Sequence, residues 1–235
     1  MPSEQKTKKK KVKRKLKIKN ILLLLLILFL IGMLFSYITT IGIKNIYIIG
    51  TEILPDKTII KDAKLDTYPS FLLTKSEDIK KELLKNDYIK DVKITKHYKF
   101  KVYLEIEENK ILAKKQSDNK LILESTKEVE DIYKLRDVPI LINDITDIKD
   151  DFCKYFSQVD NTILTKISQI EYSPNNVDNM RFLLYMNDGN YVYVTLTKID
   201  KLNKYNSIKD QLGEHEGIVY LDSGDYFEIK EKESD

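Results

Sequence analysis

Histidine and cysteine, the side chains that most often carry out chemistry, are scarce in this chain of 235 residues, which has two histidines and one cysteine. His215 stands between Glu214 and Glu216, so three residues of metal-binding type follow one another. No second histidine lies at helical or hairpin spacing from His215, and His97 falls in a predicted turn. The sequence therefore predicts no metal site.

The other candidates for catalysis are one thiol and a few adjacent carboxylates. Cys153 lies at the edge of a predicted apolar helix stripe, so we interpret it as a packing residue and not as a nucleophile. Glu107 and Glu108 are neighbours on a predicted strand and point to opposite faces, which prevents an acid–base pair. The sequence also lacks Walker, Gly-x-Ser-x-Gly and Gly-x-Gly-x-x-Gly patterns. We predict a protein that is not an enzyme and that has no cofactor and no small-molecule substrate.

Charge is distributed unevenly along the chain. Residues 1–19 hold ten basic residues and one acidic residue, whereas the part from Lys44 onward holds 30 basic and 36 acidic residues. This division excludes a uniformly nucleic-acid-binding surface, and we predict no nucleic-acid partner. Next to an apolar segment, a basic tail is typical of a cytoplasmic end that contacts anionic membrane lipid.

Residues 20–43 carry no charge and are long enough to cross a membrane as one helix. At 1.5 Å per residue they would extend about 36 Å, against a hydrocarbon core of about 30 Å. A cleaved signal peptide is the alternative, but its apolar region would be shorter, and residues 36–40 offer no cleavage site of small residues. We predict an uncleaved transmembrane helix in a single-pass type II protein of the cell membrane, with the C-terminal part outside the cell.

The elements after the span predict an α+β outer region, with a first domain at 44–115 in the order β-α-α-β-β. Apolar and polar residues alternate in two predicted strands, so one face of a three-stranded sheet is buried, with both helices on that face. The pattern Thr74-x-x-Glu77 predicts a capping box at the second helix. The predicted elements are a strand at 43–49, a helix after Pro55, a helix from Thr74, and strands at 91–95 and 100–107.

Residues 116–230 predict a second, mixed α/β domain with an antiparallel sheet, and residues 231–235 a charged tail. Asp188-Gly189 predicts a type I′ hairpin turn, in which both central residues have positive φ. A helix is predicted from Asp147, and a second one from a capping pattern at Thr197 to Gly213. The predicted strands are 120–123, 139–142, 168–172, 180–187, 191–196, 217–222 and 226–229.

Two runs that follow the predicted membrane span resemble the POTRA domain of the FtsQ/DivIB cell-division family. They are Ile46-Tyr47-Ile48-Ile49-Gly50 and residues 86–94. The runs 139–141, 184–192 and 217–227 resemble the Gram-positive, DivIB-like branch of that family. The chain departs from the family at His97-Tyr98-Lys99, where the family has a Pro-Asn turn. It departs again at 108–111, where only Glu108 of the usual strand end remains.

The resemblance implies a non-enzymatic scaffold of the divisome that helps to organise or regulate septal peptidoglycan synthesis at the division septum. Its implied partners are single-span proteins of the DivIC/FtsB and FtsL types, with recruitment linked to the POTRA domain and partner binding to the second domain. The alternatives are a POTRA-bearing adaptor of another envelope assembly and a membrane-anchored envelope enzyme. The enzyme would need a cluster of acid, base or metal-binding residues.

The last hairpin, at 217–229, is the predicted partner site. Aromatic residues dominate interface hot spots, and an edge strand offers unpaired N–H and C=O groups to a partner strand. The alternative is that the aromatic residues of this hairpin only cover a core. The predicted site residues are Gly217, Val219, Tyr220, Leu221, Tyr226, Phe227 and Ile229.

Overall fold

The structure, a computed structural model, describes residues 17–213 and 215–229. Residues 1–16 of the predicted basic tail and the predicted charged tail at 231–235 lie outside this described part. An apolar helix comes first, followed by a small three-stranded sheet with two helices and then by a nine-stranded sheet. The α+β architecture after a single apolar helix is therefore confirmed.

Helix α1 spans Ile18–Thr39, and none of its 22 residues is buried. Its length and its mean hydropathy of 3.0 are sufficient to cross a membrane. The hydroxyl groups of Thr39 and Thr40 donate hydrogen bonds to carbonyl groups of the last turn. The helix ends four residues before the predicted end of the span, because Gly42 and Ile43 already belong to the outer domain: Ile43 is buried in its core.

The first outer domain has the predicted order β-α-α-β-β. Strand β3 lies in the centre of its sheet, parallel to β1 and antiparallel to β2. This order confirms the predicted three-stranded sheet. The elements are β1 (Asn45–Ile49), α2 (Asp56–Asp62), α3 (Ser76–Leu83), β2 (Ile89–His97) and β3 (Lys101–Glu108).

Alternation along β3 builds the core of this domain. Val102, Leu104 and Ile106 are buried and alternate with more exposed residues, which confirms the predicted register. Ile59 of α2 and Leu83 of α3 are fully buried in the same cluster, so both helices cover one face of the sheet. Burial of these apolar side chains is the main favourable contribution to the stability of the domain.

Two local predictions for this domain are wrong. The predicted capping box at Thr74 is absent: helix α3 begins at Ser76 and has no side-chain cap. Thr74 lies in the preceding turn, where its carbonyl group accepts a hydrogen bond from Lys96 Nζ at 2.6 Å. Phe100 is not in β3: its φ of 61° places it in the turn before the strand. Its ring packs edge-on against Phe71, with 5.5 Å between the ring centroids.

Glu108, at the end of β3, fastens the loop before α2. Its carboxylate accepts hydrogen bonds from the backbone N–H groups of Glu52, Ile53 and Leu54 at 2.8–3.2 Å. Hydrogen bonds to an ionised acceptor are stronger than neutral ones. Glu107 points to the opposite face and pairs with Lys90 at the surface. The adjacent glutamates are therefore structural and separate, as the strand alternation predicted.

The second outer domain contains a nine-stranded sheet, in the order β12-β11-β10-β9-β8-β7-β4-β5-β6. The sheet is mixed and not wholly antiparallel, because β4–β7, β7–β8 and β10–β11 are parallel pairs. Its elements are β4 (Ile111–Lys115), β5 (Lys120–Leu123), β6 (Glu128–Glu130), β7 (Ile140–Leu141), a 3₁₀ turn (Thr146–Ile148), α4 (Lys149–Phe156), α5 (Asn161–Leu164), β8 (Ile167–Tyr172), β9 (Arg181–Met186), β10 (Tyr191–Thr195), a 3₁₀ helix (Leu196–Lys204), α6 (Tyr205–Leu212), β11 (Gly217–Tyr220) and β12 (Tyr226–Ile229).

The two outer domains are in direct contact. Strand β4 lies within the segment predicted as the first domain, yet it pairs in the second sheet. We therefore propose a boundary between Glu108 and Ile111 and not after residue 115. Leu121 of β5 is buried in the core of the first domain, and Tyr88 Oη donates a hydrogen bond to the Glu130 carbonyl at 2.7 Å.

The core of the second domain confirms the predicted helix after Asp147. Phe152 and Phe156 of α4 are fully buried and pack against Phe182 of β9, with ring centroids 5.7 Å apart in each pair. Cys153 is buried beside them, and burial raises the pKa of its thiol to about 11. The thiol is therefore protonated at neutral pH, in agreement with a packing role.

The last helix and the hairpin before it differ in detail from prediction. The segment around Thr197 is a 3₁₀ helix, which is kinked at Lys198, where φ is −121°. This helix has no side-chain cap, so the predicted cap at Thr197 is wrong. Gly213 ends α6 with a φ of 63°, as predicted. The β9–β10 hairpin is confirmed, but only Gly189 has positive φ. The predicted type I′ turn is therefore wrong, because a longer loop with one left-handed glycine connects the strands.

Candidate partner-binding site

Strand β12 is the edge strand at one end of the nine-stranded sheet. It pairs with β11 on one side, and no strand among residues 17–213 and 215–229 pairs with its other side. All four of its residues are exposed, with exposed fractions of 52% for Tyr226, 43% for Phe227 and 47% for Ile229. An exposed apolar edge of this kind is a ready template for another strand.

The seven predicted site residues lie in one hairpin and differ in how far they are exposed to solvent. Tyr226, Phe227 and Ile229 lie on the exposed edge, and Tyr220 is half-buried behind them. Gly217, Val219 and Leu221 are buried beneath this edge. A Cβ atom on Gly217 would lie 2.1 Å from the Glu228 carbonyl oxygen, so a larger residue there would force the two strands apart.

Stacked aromatic rings fix the position of the edge strand from the outer face of the sheet. Tyr226 stacks on Tyr220 with 4.7 Å between ring centroids, and Tyr220 stacks on Tyr193 at 5.5 Å. The guanidinium carbon of Arg181 lies 3.7 Å from the centroid of the Tyr193 ring. Aromatic and cation–π contacts each add to the energy of apolar burial. The role of Arg181 is not predictable from the sequence, because this contact depends on the pairing of β9 with β10.

Ion pairs hold the turn that leads into β12. Arg181 Nε donates to the Asp222 carboxylate at 2.7 Å, and Lys201 pairs with Asp225 at 2.6 Å. Burial alone would raise the pKa of Asp222. The hydrogen bonds from Arg181 and Ser223 have the larger combined effect and hold this pKa below its ordinary value. The carboxylate of Asp222 is therefore ionised at neutral pH.

Asn190 connects the β9–β10 turn to the last hairpin. Its Oδ1 accepts a hydrogen bond from the Gly217 backbone N–H at 2.9 Å, and its Nδ2 donates to Tyr205 Oη at 3.1 Å. Tyr205 Oη in turn donates to Asp188 at 2.8 Å, and Lys209 pairs with the same carboxylate. These groups position β11, and through it β12, against helix α6.

The charge of Asp188 makes this network sensitive to acid. Burial would raise the pKa of Asp188, but the hydrogen bonds from Lys209 and Tyr205 lower it overall. A carboxyl group whose pKa is lower in the folded state than in the unfolded state stabilises the fold at pH values above its unfolded pKa. That stabilisation is lost as the pH falls through the folded-state pKa.

A groove of about 540 Å³ runs along the inner side of β12, between this strand and helix α6. Val219 and Leu221 line it together with Phe227, and Lys201 and Lys204 stand at its rim. The apolar lining fits an extended segment with apolar side chains. The edge strand and this groove together can bind a polypeptide.

Within the described part of the chain, no group of three or more His, Cys, Asp or Glu side chains is arranged to hold a metal ion. The His97 ring packs edge-on against Tyr103, with 4.9 Å between centroids, and His215 is exposed. Glu214 lies outside the described residues.

The sequence is similar to a known domain family and to known proteins. Residues 41–109 match the family described as "POTRA domain, FtsQ-type". Cell division protein DivIB of Bacillus subtilis is 29% identical over 193 residues, which cover 79% of this chain and 73% of that protein. The DivIB protein of Listeria monocytogenes is 27% identical over 194 residues, covering 78% of this chain and 71% of the relative.

A solved structure is also similar, namely the major extracytoplasmic domain of the cell division protein DivIB from Geobacillus stearothermophilus. It is 25% identical, with a TM-score of 0.37, and the match covers 45% of this chain and 95% of that chain.

The chain thus combines one apolar helix long enough to cross a membrane with an FtsQ-type POTRA match and a β-rich second domain, and the relatives it matches are cell-division proteins. The chain is similar to proteins of the FtsQ/DivIB family, and its relatives lie in the Gram-positive, DivIB-like branch. The resemblance seen in the sequence is thereby confirmed.

Proposed function

We propose that the chain is a non-enzymatic scaffold of the divisome, which binds other single-span division proteins outside the membrane and helps to regulate septal peptidoglycan synthesis. Its partners are of the DivIC/FtsB and FtsL types, and its place in the cell is the division septum. The observation that carries this proposal is strand β12, an exposed apolar strand with one unpaired edge. The family relationship supplies the cellular process.

The orientation in the membrane is part of this proposal. Residues 1–19 hold ten basic residues and one acidic residue, and positively charged segments beside a span stay in the cytoplasm. A reporter that is active only outside the membrane should be active when fused after Ile229 and silent when fused after Arg14. The reverse pattern would contradict the orientation, and a mature protein without residues 1–40 would indicate a cleaved signal.

The backbone of β12 is oriented for strand addition. The Glu228 carbonyl is directed to β11, as its close approach to Gly217 requires. In an antiparallel pair, the N–H and C=O groups of one residue point to the same side, and those of its neighbour point to the other. The N–H and C=O groups of Phe227 therefore face the unpaired edge. A partner strand would bond to them, and its side chains would select the partner.

Substitutions on β12 should weaken the binding of the partner without unfolding the domain. Tyr226→Ala removes an exposed ring and should weaken the binding of a DivIC-like outer segment by roughly 1–3 kcal/mol, a loss of about 5-fold to 150-fold in affinity. The measurement is a titration of that segment into the purified protein, together with thermal unfolding. Val177→Ala, at a residue that is 96% exposed, is the matched control.

Two proline variants separate strand addition from binding by side chains alone. Phe227→Pro removes an N–H that faces the free edge, so binding should fall well below that of Phe227→Ala while stability changes little. Glu228→Pro removes a bond to β11 and should destabilise the hairpin. If Phe227→Pro and Phe227→Ala bind the partner equally, no partner strand is added at β12.

A further inference from the structure

The surface of the POTRA domain nearest to the membrane span is formed by two loops that are bonded to the end of the span. Ile43 N–H donates to the Pro69 carbonyl at 3.0 Å, and Phe71 N–H donates to the Ile41 carbonyl at 2.9 Å. Lys44 N–H donates to the Phe100 carbonyl at 2.9 Å. These bonds begin two residues after helix α1 ends, so both loops lie beside the point where the chain leaves the membrane.

Large apolar and aromatic side chains project from these two loops. Leu72 and Leu73 are 47% and 61% exposed, Tyr68 is 53% exposed and Tyr98 is 79% exposed. Two adjacent exposed leucines in a turn have no role in the core, and Tyr residues are enriched at membrane–water interfaces. We name these four residues the membrane-proximal surface.

The loops are held rigidly, so the exposure of the leucines is built into the fold. Lys96 Nζ donates to the carbonyl groups of Phe71 and Thr74, which bracket Leu72 and Leu73. The same ammonium lies 4.5 Å from the centroid of the Phe71 ring. With the Phe71 ring against Phe100, this links the two loops into one surface.

The charge around this surface is opposite to that of the outer region as a whole. Within residues 40–44, 66–75 and 96–101 there are five lysines and one acidic residue, Asp66, whereas the part from Lys44 onward is net acidic. Lys44, Lys75 and Lys99 are exposed, and Lys101 is half-buried. Apolar side chains surrounded by lysines are typical of surfaces that lie on anionic lipid.

We propose that the membrane-proximal surface docks the POTRA domain onto the outer leaflet of the membrane that holds helix α1. Leu72 and Leu73 enter the boundary between head groups and acyl chains, Tyr68 and Tyr98 lie at head-group depth, and the surrounding lysines meet anionic lipid. The domain then has a fixed orientation relative to the membrane, which also sets the direction in which β12 is presented. This docking is independent of partner binding at β12, because the two surfaces belong to different domains.

Fluorescence quenching in nanodiscs tests this docking with the full chain. The protein has no tryptophan, so Leu73→Trp introduces a single reporter. In discs of phosphatidylglycerol with brominated acyl chains, its emission should fall by about twofold or more relative to unbrominated discs. Val177→Trp, an exposed position in the second domain, is the matched control and should be quenched far less.

Charge reversal then tests the role of the lysines. Adding Lys99→Glu and Lys101→Glu to Leu73→Trp should reduce the quenching, and so should brominated phosphatidylcholine in place of phosphatidylglycerol. The docking is overturned if Leu73→Trp is quenched no more than Val177→Trp. It is also overturned if the reporter is unquenched in lipid and becomes shielded only when a DivIC-like outer segment is added, since the surface would then bind protein. Quenching that is insensitive to both charge changes would overturn the role of the lysines.

Discussion

Replacing Val92 with aspartate is expected to unfold the POTRA domain or to destabilise it by about 3–5 kcal/mol. Val92 is 1% exposed in β2 and faces the cluster formed by the two helices and β3. A carboxylate at this position would lose its hydration among buried apolar side chains. The measurement is thermal unfolding of the outer region, residues 41–235, followed by circular dichroism.

Lys93→Asp is the matched control, one residue further along the same strand. The Lys93 side chain is 72% exposed and pairs with Glu105 across the strands at 2.9 Å. Loss of an exposed ion pair has a small effect on stability. If the two variants unfold at the same temperature, the register of β2 is wrong, because a shift of one residue exchanges the two faces of a strand.

Asn190→Ala should destabilise the second domain by about 2–4 kcal/mol, since a buried hydrogen-bonding group left without a partner costs about 1–3 kcal/mol. Asn190 is 3% exposed, and its loss leaves the Gly217 N–H without its acceptor. Because this bond fastens β11, the edge strand β12 should loosen as well. Chemical denaturation of residues 41–235 measures the first effect, and amide hydrogen exchange in β11 and β12 measures the second.

Asn187→Ala is the control within the same turn. Asn187 is exposed, and its Nδ2 donates one hydrogen bond to the Thr165 carbonyl at 2.9 Å. Its removal should change the free energy of unfolding much less, because water can replace the lost partner. Equal losses from the two variants would show that Asn190 does not hold the hairpin in place.

Periodic patterns made much of the fold predictable. The alternation of Val102, Leu104 and Ile106, and the helical spacing of Phe152 and Phe156, each describe one buried face of one element, so a local pattern was sufficient. The uncharged segment before Lys44 likewise predicted the membrane helix. The two-residue β7 and the three-residue β6 are too short for periodicity to appear, and β6 was missed.

Features that depend on distant residues were not predictable from the sequence. Glu108 binds backbone N–H groups more than 50 positions away, and Arg181 pairs with Asp222 across three strands. The predicted caps at Thr74 and Thr197 failed because tertiary contacts and a kink moved the helix starts. The hairpin proposed as the partner site was chosen for its aromatic residues and its position as the last pairable segment, but only the folded sheet separates the exposed Phe227 from the buried Val219 and Leu221.

We propose that β12 binds another single-span division protein in the living cell. A photo-crosslinking amino acid placed at Phe227 in dividing cells tests it directly, with Val177 as the matched exposed control. We expect illumination to join the variant at position 227 to a DivIC- or FtsL-like protein, while position 177 gives no such product. If a division protein is captured from position 177 or from the POTRA domain and none from position 227, β12 is not the partner-binding strand.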